Sequence, residues 1–312
     1  MKRVAVFSFV GFLLASIVCA IWFLLPMKKL PGREFDPVIE NKRRQINREI
    51  ARSNDHPWAG EYQVAGIDSS TELTLAPENG YVLRRFHGPS ELCYLHGTVS
   101  WDGKIIRLST PDVPSRHPLE YYPVRWGERR YLIPINSIIE FCIDVNTRSE
   151  PRRDVIGGFL LRSGDVKREA RGKPEVPEEF KAYLLDKPVD ATIISMPISV
   201  STEETQEFSR RRGREITIEG RTFRDREIIT VVLDKGREGG LLPGMRLFAE
   251  ERGEIYGYSS VVLTNVDETQ SEGVISFFFP DEPPHVGKRF STYPEWMARI
   301  HGGGLLPRIL SN

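Results

Sequence analysis

The feature that most constrains this chain is an uncharged run from Val4 to Leu25, built largely from Phe, Leu, Ile and Val and containing Trp22 near its end. Its 22 residues would extend about 33 Å as a helix, enough for a hydrocarbon core about 30 Å thick. The run therefore predicts a single transmembrane helix over residues 4–25, behind a short tail of residues 1–3. A secretory signal has a shorter apolar region that ends at a small-x-small site. Here Val18-Cys19-Ala20 passes directly into Ile21–Leu25, which favours a retained signal anchor over a cleaved leader. Lipidation at Cys19 would call for a small residue before it; Val18 stands there, so Cys19 is read as a buried thiol in an apolar helix. Pro26 ends the helix. Lys2 and Arg3 on one side nearly balance Lys28, Lys29 and Arg33 on the other. Because the run begins so early, the expected arrangement is a single-pass protein of the cell membrane with its body on the extracytoplasmic side.

Residues 26–55 form a basic collar next to this run. Between Met27 and Arg52 stand eight Lys and Arg against four Asp and Glu. Such a surplus suits anionic headgroups, and Lys28, Lys29 and Arg33 are the expected membrane-surface contacts. Val38, Ile39, Ile46 and Ile50 give a thin helical stripe, sufficient for a short juxtamembrane helix or a solvated linker but not for a coiled coil. Over the whole chain 43 Lys and Arg match 43 Asp and Glu. A neutral chain lacks the basic surplus that phosphate neutralisation requires, so nucleic acid is excluded as a partner; the membrane and a partner protein are expected instead. Three cysteines are too few to staple a disulfide-dense fold.

The remainder reads as mainly β. Residues 56–146 open with His56-Pro57-Trp58-Ala59-Gly60. Alternating Thr71–Ala76, a Pro77-Glu78-Asn79-Gly80 turn and Tyr81–Phe86 then form a hairpin signature, repeated by Gly97–Trp101, Asp102-Gly103 and Lys104–Leu108. A third hairpin turns at Trp126-Gly127. The spacing Ser137 to Glu140 suggests a capping box opening a helix over 137–146, with Ile138, Phe141, Cys142 and Val145 on one face. Sequence-adjacent strands of this kind predict an antiparallel meander. The series Trp-x-Gly-x-Tyr, Leu-x-Leu-x-Pro-x-x-Gly-Tyr and Gly-x-x-Ser-Trp-x-Gly-x-x-Ile-x-Leu resembles the opening of lipocalin-like and other small meander domains. That resemblance implies architecture and no chemistry. Trp-Gly-x-Arg-x-Tyr-Leu before a Phe-Cys helix is similar to a pattern in membrane-anchored bacterial proteins without an assigned activity.

Residues 147–186, rich in Arg, Gly, Glu and Pro, are expected to be a linker with a hairpin near 156–165 and a short helix after Pro177. Residues 187–293 contain six candidate strands, at 192–196, 215–218, 228–233, 246–249, 258–263 and 272–277, and predict a small barrel or sandwich. Gly239-Gly240-Leu241-Leu242-Pro243-Gly244-Met245 resembles the strand-connecting turn of small bacterial β-barrel modules. Residues 294–312 are read as a C-terminal helix and flexible tail.

Chemistry is sparse. The glycines at 236–244 lack the Gly-Lys-Ser/Thr ending and following helix of a phosphate loop. His301-Gly302-Gly303-Gly304 has no Gly-x-Ser-x-Gly elbow to serve. The histidines lack zinc-ligand spacing, so neither metal nor cofactor is expected. His87, Ser90 and Asp102 make a triad only on paper. Arg210-Arg211-Arg212 after the acidic 203–207 stretch reads as a solvated loop, or else as a docking surface for a charged partner. In an oxidising compartment Cys93 and Cys142 could pair; otherwise they are two buried thiols. The expected function is that of a membrane-anchored, non-enzymatic binding or assembly module. One alternative is a membrane-tethered hydrolase with a site assembled from distant residues. Another is a calycin-like carrier whose Trp58, Trp101 and Trp126 line a cavity for an apolar ligand, where otherwise they fill the core.

Overall fold

A computed structural model describes residues 37–53, 56–65, 69–87, 90–110, 119–147, 158–196, 215–218, 221–224, 229–250, 259–275 and 284–297. The apolar run 4–25, the collar residues Lys28, Lys29 and Arg33, the 203–212 charge segment and His301–Gly304 lie outside them. Among the described residues no helix is long and apolar enough to cross a membrane.

Two closed antiparallel barrels organise the body. The first comprises β1 (Gly60–Ala65), β2 (Ser69–Ala76), β3 (Gly80–His87), β4 (Ser90–Trp101), β5 (Ile106–Ser109), β6 (Leu119–Trp126), β7 (Arg129–Pro134) and β8 (Leu160–Arg162). Each strand pairs with its neighbour in sequence, and β8 closes the ring on β1 by placing Tyr62 opposite Arg162. The expected meander is present, but its last strand comes from the stretch read as a linker. Among the described residues near 156–165, which begin at 158, a single short strand is held between β7 and β1 and followed by a 3-10 turn at Ser163–Asp165. Three residues are too few to display alternation in a sequence.

The hairpin turns are where their residues place them. Gly80 takes φ +73° after the turn that joins β2 to β3, and Gly127 takes φ +60° in the two-residue β6–β7 loop. Both are left-handed conformations that favour glycine. Close approach also excludes side chains here: a Cβ on Gly80 would stand 1.9 Å from the Gly97 carbonyl oxygen, and one on Gly97 would stand 1.8 Å from that of Ser109.

Alternation sends Tyr62, Leu73, Leu75, Tyr81, Leu83, Ile106, Tyr121, Leu132 and Leu160 into the first barrel, where they form a single buried core. On β6–β8 the outward residues Tyr122, Val124, Tyr131, Ile133 and Leu161 are buried as well. They lie beneath α2 (Ile138–Asn146), which turns Ile138, Phe141 and Cys142 onto them. Burial on both faces accounts for the nearly unbroken apolar run Tyr131-Leu132-Ile133. The Ser137–Glu140 capping box does not form: a 3-10 turn at Ile135–Ser137 runs straight into α2, and the Ser137 side chain makes no cap hydrogen bond.

The collar contains α1 (Pro37–Arg52), which belongs to the first barrel and is not a linker. Ile39 and Ile46 join the barrel's buried cluster together with Ala76 and Val82, whose side chains point outward from β2 and β3. The thin stripe seen in the sequence suffices because a barrel wall covers it.

The second barrel has six strands in the ring order β12 (Ile229–Leu233), β15 (Ser271–Ile275), β14 (Ser260–Val266), β13 (Arg246–Ala249), β16 (Arg289–Ser291) and β9 (Asp190–Ser195). Its core holds Ile193, Val231, Leu233, Leu247, Val261, Leu263, Ile275 and Phe290. The segment at 215–218 is not one of the barrel strands. It forms β10 (Glu215–Ile218), which pairs with β11 (Arg221–Arg224) as a separate two-stranded sheet. The chain beyond 293 stays packed at least as far as Met297. That residue clusters with Ile143 of α2 and Phe248 of β13, and the Trp296 indole donates to the Ala249 carbonyl at 2.9 Å.

Candidate functional site

The two barrels meet along α2. One side of this helix packs on the first barrel, while Ile139 and Ile143 face the second, so that a Cβ on Gly244 would lie 3.4 Å from Ile139 Cδ1. Tyr183 ties the seam by donating its hydroxyl to the Pro243 carbonyl at 2.9 Å. Asn146, at the end of α2, holds the connecting segment through two bonds: its amide donates to Tyr183 O at 2.8 Å and accepts from Leu185 N at 2.9 Å.

Beside this seam lies a partly open cleft of about 600 Å³, lined by Trp126 and Arg129 from the first barrel, Asn146 of α2, residues 169–173, residues 184–188 and Thr292 next to β16. Its polar side chains are held in place. The Trp126 indole donates to Gly172 O at 2.8 Å, Arg129 Nε donates to Arg168 O at 2.5 Å, and Thr292 Oγ1 accepts from Val189 N at 2.9 Å. Lys173 Nζ reaches Asp186 Oδ1 at 2.7 Å, and this bond holds the Asp186 carboxyl below its ordinary range. Lys187 projects from the same wall and is exposed. Fixed donors, one aromatic face and charges of both signs suit recognition of a polar surface or chain.

The three tryptophans singled out in the sequence do not surround one cavity. Trp58 is buried in the first barrel's core; Trp101, 42% exposed, stands at the surface with its ring 6.1 Å from that of Trp58. Trp126 is on the opposite side of the wall, edge-on to Phe141 at 6.1 Å. Cys142 is a free, buried thiol, pushed up to about 12 by burial. It faces the β6–β8 wall, whereas Cys93 belongs to β4 across the ring, with its side chain outside the described atoms. Asp102 follows β4 at the mouth where β3 begins, and His87 ends β3 at the other mouth, so the paper triad is spread over both ends of the barrel. The Asp102 carboxylate is engaged by Lys104 N at 2.9 Å, Ile105 N at 2.8 Å and Arg107 at 2.6 Å.

The glycine-rich stretch is a turn. Amides that a phosphate loop would leave free are spent internally: Gly239 N and Leu241 N bond to Gly236 O, Gly240 N to Arg237 O, and Gly244 N to Leu263 O. Among the described residues no group of three or more His, Cys, Asp or Glu converges as a metal site would require. No family model, curated protein or solved structure matches this chain.

The sequence reading missed the cleft because its walls come from segments far apart in the chain, among them the irregular stretches 169–173 and 184–188. The available signal was Trp126-Gly127 followed by Arg129, a large aromatic and a cation forced to the rim of a tight turn.

Proposed function

We propose that this protein is a membrane-anchored, two-barrel binding module that takes a partner protein in the cleft between its barrels. The reading rests on one observation above all: Trp126, Asn146, Lys173 and Thr292 reach the same 600 Å³ space from both barrels and the segment joining them. The uncharged run 4–25 serves as the anchor, Lys28, Lys29 and Arg33 rest on the headgroups, and the body stands on the extracytoplasmic side. Binding in such a cleft reads the relative setting of the two barrels, which suits assembly.

An export-dependent reporter fused to the C-terminus tests the compartment; an inactive fusion that is nonetheless expressed would reverse the topology. A photo-crosslinking residue at Lys187 tests the cleft in intact membranes. The expected result is a discrete adduct that disappears when Ala170→Trp fills the space. Adducts indifferent to that substitution would sink the reading.

A further inference from the structure

Arg162 is the anomaly of the first barrel. It stands opposite Tyr62 on the β1–β8 ladder, so the two side chains share a face, and Tyr62 is buried in the core. The guanidinium lies over Gly60, where a Cβ would come within 2.7 Å of Arg162 Nε. The Arg162 side chain makes no hydrogen bond or ion pair with any described residue, and its Nη1 is fully buried.

Asp165, the carboxylate whose charge acts on Arg162, is engaged by other arginines. It is 0% exposed and accepts Arg130 N at 3.0 Å and Arg130 Nε at 3.0 Å on Oδ2, and Arg130 Nη2 at 3.3 Å on Oδ1. Arg168 Nε pairs with it at 3.3 Å from Oδ1. Of the roughly four lone-pair sites of a carboxylate, Arg130 fills three. The Tyr62 hydroxyl donates to Trp58 O at 2.9 Å, and the buried Arg162 Nη1 has no bond to it. Burial, and next the Arg130 charge, press Arg162 below the usual guanidinium range. Arg130 and Arg168 thus engage Asp165, and the buried Nη1 of Arg162 beside them is unmet. Leaving a charged donor buried and unsatisfied is costly, and structures resolve such groups with an acceptor.

We infer that Arg162, with Arg130 and Arg168, forms a receptor for one tetrahedral oxyanion at the mouth of the first barrel. A phosphate or sulfate group supplies several acceptors to the planar guanidinium fork and would satisfy the buried Arg162 donor. Arg168 and Arg130, whose side chains are 48% and 22% exposed, form the side open to solvent. The group is either free or carried by a lipid headgroup; both present the same chemistry.

The test is titration calorimetry of the full chain in detergent with sodium phosphate, ionic strength held constant with chloride. Saturable binding is expected, weakened at least about tenfold by Arg162→Gln and less by Arg162→Lys, as the loss of charge-assisted bonds implies. Arg171→Gln, at an exposed arginine paired with Glu169, leaves it unchanged. Far-UV circular dichroism checks that the variants fold; should Arg162→Gln fail, Arg168→Gln takes its place with the same expectation. Phosphatidylglycerol vesicles displace phosphate if the natural source is a headgroup, and their failure to compete assigns a free anion. No saturable phosphate binding by the parent chain, meaning that water alone satisfies Arg162, overturns the inference. Equal binding by the parent and Arg162→Gln does so too.

Discussion

Glu49 holds Asn79 by two bonds and its neighbour by a third: the carboxylate accepts the Asn79 backbone amide at 2.9 Å, the Asn79 side-chain amide at 2.8 Å and the Glu78 amide at 2.9 Å. One residue of α1 thereby satisfies the backbone of the β2–β3 turn, a reach of 30 positions along the chain. Glu49→Ala leaves those amides without their acceptor. Urea unfolding of this variant is expected to show a loss of about 1–3 kcal/mol, the usual worth of hydrogen bonds to a charged group. An unchanged midpoint would mean that α1 docks through Ile39 and Ile46 alone.

The same corner sets a response to acid. Burial raises the Glu49 carboxyl, but the bonds from Glu78 and Asn79 outweigh it and hold the group below 4.5. His56 sits below 6.5 because burial disfavours its charged form, with Glu49 opposing the shift; its Nδ1 accepts the Ala59 amide at 3.2 Å. A histidine that stays neutral in the fold binds its proton more readily when unfolded, so its contribution is present at neutral pH and declines as pH falls below 6.5. The Glu49 contribution is present above 4.5 and is lost as pH falls through the lower, folded value. Thermal midpoints across this range should descend in two stages, the upper flattened by His56→Gln and the lower by Glu49→Gln. Parallel curves for all three proteins would remove the assignment.

Gly97→Ala sets a side chain 1.8 Å from the Ser109 carbonyl, so β4 and β5 must separate. Overpacking of this kind costs about 1–3 kcal/mol or more. Gly164→Ala, where a Cβ would meet nothing within 4 Å, is the matched control and stays near the parent in the same thermal scan.

Cys142 is expected to resist maleimide in the native protein at pH 7 and to react once denaturant exposes it, because burial disfavours its thiolate. Fast native labelling would place α2 away from the wall it covers.

Replacing Arg162 by Met removes a buried donor that has no acceptor while keeping much of the side chain's bulk. In phosphate-free buffer Arg162→Met should therefore unfold later than the parent by about 1–3 kcal/mol. A destabilised variant would show that the guanidinium is already satisfied.

How far the sequence speaks depends on the range of the interaction that shapes each element. Gly80, Gly103 and Gly127 enforce turns through their own backbone, and the strands beside them alternate over several residues, so those hairpins were legible. Short β8 and β16 owe their conformation to the strands on either side and carry little pattern of their own. The stripe on α1 left a short juxtamembrane helix and a solvated linker both open because part of its fixing comes from Glu49, a residue that any composition count assigns to solvent. Ser137 and Glu140 had capping spacing, yet the preceding 3-10 turn already supplies the entry to α2. Arg162 was invisible for a similar reason: its oddity is a buried Nη1 left without a partner while Asp165 engages other arginines, which only three-dimensional placement reveals.

Closure of the first barrel by β8 also fixes an order of events. Tyr62 waits for Arg162, exactly one hundred positions later in the chain. Until that strand leaves the ribosome, β1 and β7 are the raw margins of an open sheet, and α2, which lies between β7 and β8 in sequence, has already emerged. The helix must therefore settle on the wall before or while the ring shuts, and a chain cut short anywhere before 160 would present two unsatisfied margins at once. Such a truncation is predisposed to pair with its own kind.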